Sequence, residues 1–219
     1  LGGLINYKPR WGLIRGVWLV LLLIFSCLIN IFLVNIQPFL AYNKPLKRAD
    51  VLLVEGWLGD QQLQKACQEF LSHNYQIIIA TGTPSSLYRG RFLSSYKNLG
   101  EVAAATLTSL GCDRNKIIVI PTPPLEINQT VATALAVRQW ISGSQLIIKS
   151  LNIYGADVHT RRSWLIYQQI LAPEYQVGAI AHPPLGYEAK AWWKSSGGVR
   201  TVVFETLAYI YSKFCHWEK

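Results

Sequence analysis

The chain has 219 residues, 51% of them hydrophobic and 15% charged, with a formal net charge of +9. That balance excludes a disordered polymer and is long enough for one well-buried domain with an appendage. The positive charge comes without the interleaved basic and aromatic residues of a nucleic-acid reader, so no nucleic acid is expected as a partner.

The appendage comes first. No charged residue occurs from Gly16 to Asn43, and Val17 to Ile36 is apolar apart from Ser26, Asn30 and Asn35. At ~1.5 Å per residue this run spans the ~30 Å hydrocarbon core of a bilayer. Trp11, Trp18, Phe39 and Tyr42 stand where interfacial aromatics belong. The run exceeds the ~7–15-residue apolar part of a secretory signal, and no small-x-small site follows it. Phe25 likewise argues against lipoprotein cleavage at Cys27. Residues 1–43 therefore read as a basic head and an uncleaved transmembrane anchor, with membrane lipid as its partner. Residues 44–219 read as the α/β domain. Lys8, Arg10 and Arg15 precede the span while Lys44, Lys47 and Arg48 follow it, so the positive-inside count ties. The basic head favours a domain outside a bacterial cytoplasmic membrane. That domain carries 18 basic and 12 acidic residues from Lys44 onward, a balance of +6, which suits anionic headgroups.

After a basic linker, Lys44 to Ala49, apolar runs alternate with helical periodicity. VLLVE (51–55) is a strand, Gln61 to His73 a helix, and QIIIA (76–80) a second strand. Glu101 to Leu110 is an alanine-rich helix closed by Gly111, and KIIVI (116–120) is a third strand. Thr130 to Ile141, LIIKSLNIY (146–154), Asp157 to Leu171, YQVGAIA (175–181) and Val199 to Phe214 continue the pattern. Continuous apolar strands between amphipathic helices predict a doubly wound, mainly parallel five-stranded sheet of Rossmann-like type. Two connections, Thr81 to Gly100 and His182 to Gly198, are far longer than the ~2–6 residues such units need. Both leave carboxyl ends of strands, where ligands bind in open α/β sheets. They read as lids. Cys27, Cys67, Cys112 and Cys215 are scattered with no CxxC, so neither a metal site nor a disulfide framework is indicated.

The candidate site gathers on that edge. Glu55 and Gly56 end the first strand, and Thr81 and Gly82, followed by Thr83, end the second in a hydroxyl-rich turn. Thr130 opens the third soluble helix. GADVHTRRSW (155–164) then turns from strand into helix, with Asp157 as the expected N-cap and His159, Arg161 and Arg162 in the first turn. Cations at a helix N-terminus oppose its macrodipole, so either they are solvated or they converge on an anion there. Adjacent helical residues lie about 100° apart. One arginine can face the cleft, and the other is then spare and solvated.

VLLVEGWLGD, ATGTP, GEVAAATLTSLG, TVATALAVRQWI, VHTRRS and VRTVVFETLAYIY stand in the order found in the SanA/ElyC/YdcF-like family, which the chain resembles from about Asp50 to Phe214. The resemblance implies a Rossmann-like domain tethered outside the cytoplasmic membrane and linked to peptidoglycan or surface polysaccharide. It implies site roles for Gly56, Thr81, Gly82, Glu101, Thr130, His159 and Arg162. Arg162 is then the cleft-facing arginine and Arg161 the spare. Thr133 departs from the asparagine common at that place.

Two classes of function remain open. One is an enzyme acting on a phosphorylated or polyprenyl-linked sugar, with the anion on Arg162 and on the Thr81-Gly82 turn. His159 with Glu101 or Glu55 would then be the acid/base pair, and Trp192 and Trp193 a platform. The other is a non-catalytic scaffold or regulatory module among envelope-assembly membrane proteins. A variant with S-adenosylmethionine or a nucleotide in the cleft lacks the glycine fingerprint, so no cofactor is expected. No GxSxG, HExxH or Walker motif is present.

Overall fold

The computed structural model describes residues 11–84, 95–123, 128–215 and 217. Half of the first expected lid, residues 85–94, lies outside the described residues. Five strands form one all-parallel sheet: β1 (Val51–Glu55), β2 (Ile77–Gly82), β3 (Ile117–Pro121), β4 (Ser150–Ala156) and β5 (Gln176–His182). Their order is β3-β2-β1-β4-β5. The helices are α1 (Trp11–Leu40), α2 (Asp60–Ser72), α3 (Leu99–Ser109), α4 (Gln129–Gly143), α5 (His159–Leu171) and α6 (Ser196–Phe214). The strand order reverses between β1 and β4, which opens a crevice at their carboxyl ends. This is the expected doubly wound fold.

The central strand shows why the sequence folds this way. Every residue of β1 is buried. Leu52 and Val54 point to one layer, packing with Leu63, Phe70 and Leu107 of α2 and α3. Val51 and Leu53 point to the other, with Val137 of α4 and Ile166 and Ile170 of α5. Alternation along the strand thus feeds two apolar layers, and only a run without polar breaks does so. β4 starts at Ser150, later than its apolar run; Ile147 is 77% exposed.

A close approach closes the carboxyl edge. A Cβ on Gly56 would lie 2.4 Å from the Thr81 carbonyl oxygen, and one on Gly82 only 2.2 Å from Gly100 N. These glycines let the start of α3 press against the ends of β1 and β2. Backbone fills the space that a side chain would need at either glycine.

The cysteines depart from expectation. Cys67 on α2 and Cys112 just beyond α3 are joined in a disulfide. Both lie in the core layer between these helices, 45 residues apart in sequence. Spacing alone could not pair them, because it is the side-by-side packing of two helices that brings them together. Cys27 and Cys215 are free.

From Gly16 to Leu40, α1 is long and apolar enough to cross a membrane, with a mean hydropathy of 2.9. Its last turns do not dangle. Leu40 is fully buried with Val158, Trp192 and Val202. Gln37 Nε2 donates to Asp157 Oδ1 at 2.6 Å, and Trp192 Nε1 donates to the Leu33 carbonyl at 2.8 Å. Trp192 is therefore a buried wedge holding α1 and presents no open platform; Trp193 packs edge-on to it. The basic linker is tied down as well. Lys44 pairs with Ala179, and the Asn152 amide bonds both backbone groups of Leu46.

Candidate functional site

The crevice between β1 and β4 is filled by charge. Glu55, last residue of β1, is 5% exposed. His159 opens α5 and lies between two carboxylates. Its Nε2 is 3.4 Å from Glu55 Oε1 and its Nδ1 is 3.0 Å from Glu205 Oε1. Arg162, one turn on, grips Glu205 with two nitrogens, Nε to Oε2 at 2.9 Å and Nη2 to Oε1 at 3.0 Å. Its Nη1 reaches the Thr130 hydroxyl at 3.4 Å. Arg162 Nη2 also lies 2.9 Å from His159 Nδ1, with Glu205 Oε1 as their shared acceptor. Ser163 completes the face, donating to Glu55 Oε1 at 2.9 Å. Positions i, i+3 and i+4 of one helix supply His159, Arg162 and Ser163, which is why they meet.

The misplaced cations are thereby explained. The anion at the start of α5 is the protein's own: Glu55 from the first strand and Glu205 from the last helix. Two carboxylates beside a helix N-terminus with two side-chain cations leave the cluster nearly neutral. Burial disfavours the charged form of His159, but the field of Glu55 and the hydrogen bonds to Glu205 and Glu55 outweigh it, and its pKa rises to about 9. Burial likewise opposes the Glu205 charge, yet bonds from His159 and Arg162 pull its pKa to about 2. At neutral pH, His159 is a cation.

One atom stands apart. Glu55 Oε2 is buried and has no hydrogen-bond partner among the described residues. A carboxylate oxygen in that state costs free energy unless a donor reaches it. Beside Glu55 lies a small cavity of about 100 Å³, lined by Thr81, Thr83, Thr130 and Thr133 among others. A second cleft of about 440 Å³ opens on the other side of Trp57, whose ring stands edge-on to His159 at 5.1 Å. Leu185, Tyr187, Arg200 and Glu205 also line it. Arg200 makes no ion pair among the described residues.

The structure brings together Glu55, Thr81, Thr130, His159 and Arg162. Gly82 borders the small cavity, and Gly56 is committed to the packing of α3. Glu101 is elsewhere: its carboxylate accepts from Lys97 N at 2.7 Å and faces Asn98, whose side chain caps α3. Asp157 does not cap α5. It has a positive φ of 44°, its carboxylate takes Gln37 and Tyr187, and Val158 holds the N-cap position. Arg161 is not solvated either. It donates to the Phe39 carbonyl at the end of α1 and covers the rings of Phe39 and Tyr42 at 3.9 and 4.5 Å. Its charge is well placed there, because a helix C-terminus favours cations. Sequence reasoning missed Ser163 and Glu205. Glu205 had a signal, as the only acid in the apolar run from Val199 to Phe214.

Among the described residues, no group of three or more His, Cys, Asp or Glu could hold a metal ion. Compared with protein-family models, with curated proteins and with solved structures, the chain gives no match.

Proposed function

We propose that this chain is a membrane-anchored envelope protein of the SanA/ElyC/YdcF-like kind whose crevice carries out proton-transfer chemistry on a phosphorylated or polyprenyl-linked sugar. The observation that carries the reading is the unpartnered, buried Glu55 Oε2 beside a threonine-lined cavity, next to a histidine held protonated. Glu55 is then the base, accepting a proton from a water or sugar hydroxyl in the small cavity. His159 is an acid and a positive support for developing charge, with Glu205 and Arg162 fixing its ring. Arg162 has only Nη1 left over for a ligand, so the phosphate falls to Arg200 in the larger cleft, whose apolar wall suits a lipid or sugar face. The Cys67–Cys112 bond supports an anchor in the bacterial cytoplasmic membrane with the domain on its outer, oxidising side, where disulfides persist.

The fully paired Arg162–Glu205–His159 network also favours a second reading, a non-catalytic scaffold in which it simply pins α5 to α6. Thermal melts of the full chain with farnesyl phosphate as probe, with Glu55→Gln alongside, separate the two. The enzyme reading expects stabilisation by farnesyl phosphate, no stabilisation by S-adenosylmethionine, and Arg200→Ala weakening the probe roughly tenfold or more, the ~1.5–3 kcal/mol of a charge-assisted bond. It also expects Glu55→Gln to bind the probe yet fail to complement an envelope defect. Full complementation by Glu55→Gln at normal protein level returns the crevice to a structural role.

A further inference from the structure

The helix that delivers Glu205 is amphipathic in the reverse of the usual sense. Its polar and small residues, among them Glu205 and Ser212, face the domain. Its outer face is apolar. Val203, Phe204, Leu207, Ile210 and Phe214 are 40, 65, 59, 47 and 77% exposed. At 100° per residue they fall, with Val199 and Tyr211, inside an arc of ~140° on which Arg200 is the only charged residue. Such a face along some four turns marks an interaction surface.

Position identifies the occupant. α6 packs beside the last turns of α1: Phe39 stands edge-on to Tyr209 at 5.4 Å, and Val202 shares a buried cluster with Leu40. Through these contacts, which lie outside the apolar arc, α6 is fixed against the end of the helix that can cross a membrane. Counting ~20 residues from Gly16 puts the outer limit of the hydrocarbon near Ile36. The Trp192 bond to the Leu33 carbonyl sets the 3-10 turn Ala189–Lys194, and the start of α6 after it, at that depth. Trp193 there, half-buried against Trp192, matches an interfacial aromatic. Lys190, Lys194, Arg200 and Lys213, all exposed, belong to this turn and to α6 and supply positive charge for anionic headgroups.

We infer that the outer face of α6 is a second membrane contact, lying in the headgroup–acyl boundary and holding the domain down on an anionic bilayer. The inference rests on the reading that α1 spans the membrane. Gly197, Arg200 and Thr201 of its first turns also line the larger cleft, so that cleft opens beside the lipid surface.

The test uses the full chain with Cys27→Ala and Cys215→Ala, reconstituted in phosphatidylcholine–phosphatidylglycerol vesicles. Leu22→Cys, Phe204→Cys, Leu207→Cys and Lys65→Cys each carry a bimane label. Lipids bearing a nitroxide near the headgroup should quench the labels at 204 and 207 strongly. Lipids with a deep nitroxide should quench the label at 22 most, and neither lipid should touch the label at 65. Quenching at 22 without loss of fluorescence at 204 and 207 overturns this inference and leaves the anchor standing. No quenching at 22 overturns the anchor and the inference together. Disulfide-linked dimers of the unlabelled Leu207→Cys protein on air oxidation, with no lipid quenching of its labelled form, overturn it in favour of a second copy of the chain.

Discussion

Replacing Glu205 by glutamine removes one charge from the crevice and leaves the shape of the side chain. In the wild-type protein this carboxylate neutralises both His159 and Arg162, with side chains 15 to 19% exposed across the three residues. Breaking one side of a buried ion pair costs roughly 3–5 kcal/mol. The partial exposure puts the expected loss at pH 7 near the low end, about 3 kcal/mol. The pH dependence is the sharper readout. The folded pKa of His159 is raised from 6.5 to about 9. Its contribution is therefore fully present below pH 6.5, where both states hold the proton, and is lost as pH rises through about 9. The gap amounts to ~3 kcal/mol, falling at about 1.4 kcal/mol per pH unit. Glu205 runs the other way: its contribution is present above its ordinary value of 4.5 and disappears as pH falls through about 2. Melts of the full chain in mild detergent at steps of pH, with His159→Asn as the blank, isolate the histidine. Wild type minus blank should decline from pH 6.5 to 9, and Glu205→Gln should shrink that decline and end it at a lower pH. A wild-type difference that stays level over this interval, or a Glu205→Gln protein with wild-type stability, would refute the electrostatic account.

Arg161→Ala should cost ~1–2 kcal/mol through the lost cation–π contacts with Phe39 and Tyr42. Hydrogen exchange of the amides from Gln37 to Asn43 should quicken, and unchanged exchange would mean that the arginine does not hold the end of α1. Reduction of the Cys67–Cys112 bond should lower stability by ~2–4 kcal/mol for a 45-residue separation. Thiol counting on the denatured, unreduced chain should find two reactive groups of the four cysteines, and four would remove the bond.

The layered fold was legible because β1, β2 and β5 are nearly unbroken apolar runs, and two-sided burial demands that. The crevice was half legible. Helical spacing separates Arg162 from Arg161 by about 100°, but it says nothing about what either will meet. Arg161 met a carbonyl and two aromatic rings contributed by residues near the start of the chain. Glu205 arrived from the far end of the domain, and only the packing of α6 on α5 puts its carboxylate beside His159. Glu101 misled because a carboxylate three residues after an asparagine at a helix start fits a cap as well as a catalytic role. The cysteines were opaque for the same reason as Glu205: their pairing is a fact of tertiary packing.

Asp157 holds Gln37 of α1 and lies two residues before His159. Arg161, two residues after it, holds the carbonyl of Phe39. The long apolar helix and the turn bearing the histidine are thus clamped on both sides, with no slack joint between them. A bilayer whose hydrocarbon thickness fails to match a span is answered by tilt. If α1 spans a bilayer as proposed, a change of tilt would reach the first turn of α5 as torque, and the crevice would respond to membrane thickness.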